Sequence, residues 1–236
     1  MRSIIALLCL FVLGIAPVVV PLQAAAQRVV LRTEDGVSLA ASWYEPANRP
    51  APAVILVHML QRSRKDWDPV ASRLASEGIG ALTLDLRGHG ESQGSAGDNL
   101  PAMLQDIKAA RRHLASRFDV NHARIGLAGA SAGANLAAMD ASSDSGIASL
   151  VLLSASLDYR GLRIEAAVRK YGSRPLLLVA SDDDAYAMRS AKDLQKITGG
   201  IRELLVLKHA GHGTNMLSAP EDVPRHLVDW FRRTLQ

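Results

Sequence analysis

Residues 124–135 read Arg-Ile-Gly-Leu-Ala-Gly-Ala-Ser-Ala-Gly-Ala-Asn, an apolar run that breaks at Gly129-Ala-Ser131-Ala-Gly133 and resumes in an Ala-rich stretch. A strand that turns directly into a helix needs a strained residue at the corner, and the strain pushes that side chain into the open. Gly129 and Gly133 allow such a corner to close against neighbouring backbone. Ser131 is thereby presented as a nucleophile, and the amides of Ala132 and its neighbours, unpaired at a helix start, suit an oxyanion. A chance pentapeptide in a loop would read the same way, so the partners decide.

A hydroxyl nucleophile needs a base, and neutral imidazole serves near pH 7. Residues 208–213 are Lys-His-Ala-Gly-His-Gly. His212, between glycines, has the backbone freedom to swing toward Ser131, whereas His209 reads as a residue fixed by local packing. The base in turn needs an acid to fix its tautomer. Residues 181–185 are Ser-Asp-Asp-Asp-Ala, three successive carboxylates that repel one another and need a reason beyond solvation. Some of them suit the cap of a helix beginning near Ala185. Asp184 is the first choice of orienting acid, Asp183 the second and Asp158 a distant third. The chemistry implied is acyl transfer through a covalent intermediate.

The elements that must position these groups follow from hydrophobic patterning. Residues 28–32 and 37–44 read as an antiparallel pair turned at Asp35-Gly36. Wholly apolar strands are expected at 53–58, 79–85, 124–128, 148–153, 175–180 and 203–207. Helical spacing marks 66–77, 100–118, 162–169 and 223–235. Apolar strands alternating with helices imply a mostly parallel sheet covered on both faces, a doubly wound α/β domain. Ligands bind such sheets beyond the carboxyl ends of the strands, where His58, Asp85, Ser131, Asp184 and His212 all fall. The interval between the strands at 148–153 and 175–180 is too short for a cap domain, so the site is expected to be open. Met59, Leu60, Trp67 and Tyr159 are the candidate pocket walls.

Composition narrows the function classes. The 236 residues carry a net charge of +4, but only 4% are aromatic, which argues against a stacking surface for nucleic acid. The short basic cluster at 62–65 reads as a solvated loop, or else as an attractor for anionic substrate. Residues 1–26 combine Arg2, an apolar run over 4–20 and a small-residue ending, as in a secretory signal cut after Ala26; an uncleaved anchor is the alternative. The domain would then span 27–236, periplasmic or secreted, without stable membrane association after cleavage. Cys9, the sole cysteine, lies in the apolar run, so the domain has no thiol for disulfides or thiolate metal sites. His113, His122 and His226 lack metal-ligand spacing, and neither a metal nor a cofactor is implied.

Four segments in this order resemble the α/β-hydrolase superfamily, particularly lidless bacterial esterases related to dienelactone hydrolases. They are the strand ending Val-His58, the turn Asp85-Leu-Arg-Gly-His-Gly-Glu-Ser92, the elbow at Ser131, and Gly-His212-Gly. The resemblance spans about residues 29–235 and implies a Ser131, Asp184, His212 triad that cleaves carboxylic esters of small-molecule substrates. It also implies that 85–92 is a structural turn and His58 a packed strand-end residue. The family usually has His-Gly after the third strand, with the second oxyanion amide just beyond; here the residues are His58-Met59-Leu60. Leu60 is then the expected second donor beside Ala132, with Met59 as the fallback. A serine peptidase or amidase on the same fold, or a non-catalytic binding protein on a hydrolase scaffold, are the rival readings.

Overall fold

Val37 donates its amide to the Thr33 hydroxyl at 2.8 Å, closing the turn that joins β1 (Ala26–Arg32) to β2 (Ser38–Tyr44). The computed structural model describes residues 26–97, 99–197 and 199–236, so residues 1–25, with Cys9 and most of the expected signal segment, lie outside the described residues. The antiparallel β1–β2 pair is the first edge of an eight-stranded sheet. The remaining strands are β3 (Ala51–Val57), β4 (Gly80–Leu84), β5 (Val120–Ala130), β6 (Ile147–Leu153), β9 (Leu176–Ser181) and β10 (Arg202–Leu207). They run parallel in the spatial order β4-β3-β5-β6-β9-β10, with β2 antiparallel to β4.

Alternation along these strands feeds two cores. Ile55, Val57, Leu127 and Leu152 point to one face, under α2 (Leu100–Ala115), α3 (Ala132–Ser143), α4 (Glu165–Tyr171) and α5 (Ala185–Gln195). Val54, Leu56, Val151 and Leu153 point to the other, under α1 (Asp68–Ser76) and α6 (Val223–Leu235). A strand buried on both faces must be apolar throughout, and this explains the continuous runs in the sequence. The fold is therefore a doubly wound α/β domain with helices on both faces.

Two expectations change. The helix at 100–118 ends at Ala115, leaving Phe118 almost fully exposed. The helix at 162–169 begins instead at Glu165, after a small hairpin of β7 (Asp158–Tyr159) and β8 (Leu162–Arg163). The buried Asn135 amide donates to the Leu162 carbonyl at 3.2 Å and to the Ser156 carbonyl at 2.8 Å. With its carbonyl bound from the side, Leu162 is pinned in an extended segment. Asp158 closes the hairpin turn by accepting from the Gly161 amide at 2.7 Å. Only this hairpin and α4 separate β6 from β9, and among the described residues no cap domain covers the strand ends.

Candidate active site

Ser131 sits between β5 and α3 with φ 53° and ψ −120°, a conformation that L-residues avoid. Packing enforces it. A Cβ on Gly129 would lie 2.2 Å from the Gly133 carbonyl oxygen, and one on Gly133 would lie 2.4 Å from the His58 carbonyl oxygen. The elbow can press this tightly against the end of β3 only because both flanks lack side chains. The Ser131 amide is tied to the Leu153 carbonyl at 2.8 Å, and its carbonyl accepts from Ala134 and Asn135 as α3 begins. Ala132, at the first helical position, has no intrahelical acceptor for its amide.

His212 closes on this hydroxyl from the loop after β10. Its Nε2 lies 2.7 Å from Ser131 Oγ, and its Nδ1 lies 2.5 Å from Asp184 Oδ2. The other Asp184 oxygen caps α5, accepting from the Ala187 amide at 3.1 Å. One carboxylate thus serves both readings open at the acidic triplet. The hydroxyl, imidazole and carboxylate form a continuous hydrogen-bonded line in which a neutral ring can take the serine proton while the acid holds its tautomer.

The other candidates are placed elsewhere. Asp183 faces Ser181 and the Gly211 amide, and the Ser181 hydroxyl holds its carboxyl below the usual range. Asp158 is bound to Arg163 at 2.9 Å on the hairpin and does not reach His212. His209 is not fixed by packing, contrary to expectation: its ring is exposed, and its backbone holds a positive φ of 48°.

The turn after β4 is architecture. Asp85 is fully buried, with Oδ1 accepting from the Arg64 amide at 2.6 Å and Oδ2 accepting from the Arg64 guanidinium and from the Glu91 amide. Arg64 is therefore a buried structural cation rather than part of a solvated basic loop; Arg62 remains exposed and pairs with Asp66. His58 is also packed. Its Nδ1–H donates to the Met59 carbonyl at 2.7 Å, while Nε2 accepts from the Leu86 amide at 3.0 Å. Burial lowers the His58 pKa to about 4 and keeps the ring neutral.

Met59 and Leu60 open the loop beyond β3, and the His58 carbonyl's closeness to Gly133 brings this loop against the first turn of α3. Both are half-buried at the rim, as is Tyr159 on β7. Trp67 has no exposed surface and fills the core beneath α1, so it is not a pocket wall. Sequence reasoning gave no role to Ser154, whose hydroxyl accepts from the Gly213 amide at 2.9 Å, or to Ser181, whose hydroxyl accepts from the Ala210 amide at 2.8 Å. Their position immediately at or after a strand end was the only signal available. Among the described residues no group of His, Cys, Asp and Glu is arranged to hold a metal ion, and no helix is long and apolar enough to cross a membrane.

Known proteins bear on this geometry at several levels. Solved structures share the fold: dienelactone hydrolase from Anabaena variabilis (20% identical, TM-score 0.76, covering 91% of this chain and 100% of that one), and the esterase Pf2001 of Pyrococcus furiosus (21%, TM-score 0.76, 90% and 92%). Among curated proteins, Rv2307c of Mycobacterium tuberculosis is 32% identical over 115 residues, and YfhR of Salmonella typhi is 32% identical over 120. The aligned part spans about half of this chain and 40% of each of those relatives. The family model for serine aminopeptidase S33 matches residues 48–174, which include the His58 strand end, the 85–92 turn and the Ser131 elbow. The chain belongs to that family of α/β hydrolases.

Proposed function

We propose that the protein is an exported serine hydrolase that cleaves carboxylic esters through Ser131, His212 and Asp184. The observation that carries this reading is the unbroken line from Ser131 Oγ to His212 at 2.7 Å and on to Asp184 at 2.5 Å. In the first step His212 takes the hydroxyl proton as Ser131 attacks the carbonyl carbon. The tetrahedral oxyanion is held by the amides of Ala132 and Leu60, each donor worth about 3–4 kcal/mol. His212 then gives its proton to the departing alcohol. Water, activated by the same imidazole, releases the acid and restores Ser131.

The uncovered rim favours short, soluble or surface-presented esters over long acyl chains, which need an apolar tunnel. Esters are also favoured over peptides with a free amino end. An aminopeptidase needs a carboxylate for the substrate ammonium, but the acids around this rim already have partners. Asp158 binds Arg163, Asp66 binds Arg62, Asp182 binds the His209 amide, and Asp183 binds Ser181 and Gly211.

Hydrolysis of p-nitrophenyl acetate through p-nitrophenyl palmitate, beside an aminoacyl p-nitroanilide, tests the reading. Short esters should turn over, and Ser131→Ala should abolish the activity and labelling by a fluorophosphonate. A Ser131→Ala enzyme with wild-type ester turnover would end the mechanism. A preference for the anilide would replace the substrate class, and a wild-type protein inert to every substrate and to the probe would leave a binding protein. Export is tested by N-terminal sequencing of protein recovered outside the cytoplasm, which should begin at Gln27.

A further inference from the structure

His212 lies on a loop that touches the apolar core only through the half-buried Ala210. Residues 208–212 are all exposed or half-exposed. Their path is also unusual: His209, Gly211 and Gly213 all have positive φ, at 48°, 74° and 60°. A backbone bent this way makes no regular ladder, so its amides need side-chain acceptors. Side chains at the ends of β9 and β6 supply those acceptors. The His209 amide donates to Asp182 Oδ1 at 2.8 Å, the Ala210 amide to Ser181 Oγ at 2.8 Å, the Gly211 amide to Asp183 Oδ1 at 3.2 Å, and the Gly213 amide to Ser154 Oγ at 2.9 Å. The Ser181 hydroxyl spends its own proton on Asp183, which leaves its lone pairs for Ala210. Ser181 and Ser154 are fully buried, so their oxygens are fixed by the sheet.

We infer that Ser181 and Asp183 are positioning residues that set His212 over Ser131 by gripping the amides of its loop, with Ser154 fixing the far side. This rests on the proposed role of His212. The three consecutive acids then divide the work: Asp184 meets the ring, while Asp182 and Asp183 hold the backbone that carries it. None of the gripping groups touches Ser131 or the imidazole. Their loss acts through the distance and angle of the His212 ring, and a displacement of about 1 Å at a reacting pair can cost about a hundredfold in rate.

The test is a double-mutant cycle read by kcat and KM on p-nitrophenyl acetate. Ser181→Ala should lower kcat by about tenfold to a hundredfold while KM stays within about twofold. In a His212→Ala background the same substitution should leave the residual rate unchanged, because there is no ring left to position. Asp183→Ala, at an exposed side chain, should act in the same direction as Ser181→Ala. Asp183→Asn keeps the accepting oxygen and should restore most of the rate. If Ser181→Ala slowed the His212→Ala enzyme as much as wild type, or if Asp183→Asn were as impaired as Asp183→Ala, the positioning role would be overturned. A His212→Ala single variant with wild-type activity would instead remove the functional reading underneath it, so the two failures are distinguishable.

Discussion

Replacing Asp184 by Asn separates two tasks that one side chain performs. In the structure Oδ2 receives His212 Nδ1 at 2.5 Å, and Oδ1 caps α5 through Ala187 at 3.1 Å. Asparagine keeps the capping oxygen and turns its NH2 toward the ring. That donor makes Nδ1 an acceptor and leaves the proton on Nε2, 2.7 Å from Ser131 Oγ, where a base is required. The opposite amide orientation would set an NH2 against the Ala187 N–H, so the cap opposes the escape. A ring held in the wrong tautomer lowers kcat by about 10³–10⁴, equivalent to about 4–5.5 kcal/mol of barrier. Stability should move by less than about 0.5 kcal/mol, because the cap survives. Asp184→Ala should lose the same activity and also about 1 kcal/mol of stability with the cap. Turnover of p-nitrophenyl acetate and urea unfolding of the three proteins measure both quantities. An Asp184→Asn enzyme within about tenfold of wild type, or an Asp183→Asn enzyme that is the more impaired, would refute the assignment of the acid.

Two further outcomes follow from packing and burial. Gly133→Ala would place a methyl 2.4 Å from the His58 carbonyl and 2.8 Å from that of Val57, neither of which can yield without moving β3. It should cost about 1–3 kcal/mol in urea unfolding and, by lifting the elbow, lower kcat more than KM; unchanged unfolding and turnover would contradict the steric account. His58 has a folded pKa near 4 against an ordinary value of 6.5, so the unfolded chain binds this proton more readily. Its contribution, up to about 3 kcal/mol, is complete above about pH 6.5 and is lost as pH falls through about 4. Wild type should therefore lose more stability than His58→Gln between pH 7 and pH 4, and parallel losses would show that burial does not hold the ring neutral.

The fold was legible where burial writes a pattern. Strands covered on both faces, such as 53–58 and 148–153, must be apolar, and both are found within two residues of their expected bounds. The Ser131 elbow was legible because its two glycines answer to real collisions. What was missed has a common cause: single polar side chains acting at a distance in sequence. Asn135 converts the start of an expected helix into a hairpin by binding Leu162, and no periodicity records that bond. Arg64 looked like surface charge because its partner Asp85 lies 21 residues away. Trp67 was a candidate pocket wall, yet its side chain turns down into the core.

The departure at Met59 shows how the two halves of the site are coupled. Where the resemblance leads one to expect glycine after the strand-end histidine, this chain places a thioether, yet Met59 itself needs no left-handed backbone. The positive φ in the loop falls on Gln61, at 61°. The Met59 side chain reaches across to the loop of His212, and its sulfur stands 2.4 Å from where a Cβ on Gly213 would be. The two positions share one volume: the chain accommodates methionine at 59 because residue 213 has no side chain. A β-carbon at 213 would also have to adopt a φ of 60°, costing about 1–2 kcal/mol. Glycine at 213 is required by the backbone angle and leaves room for the Met59 sulfur, while the amide given to Ser154 anchors the position. Sequence reading credits Gly213 with freeing His212 to move; the structure assigns it the opposite task, holding the residue next to the ring in one place.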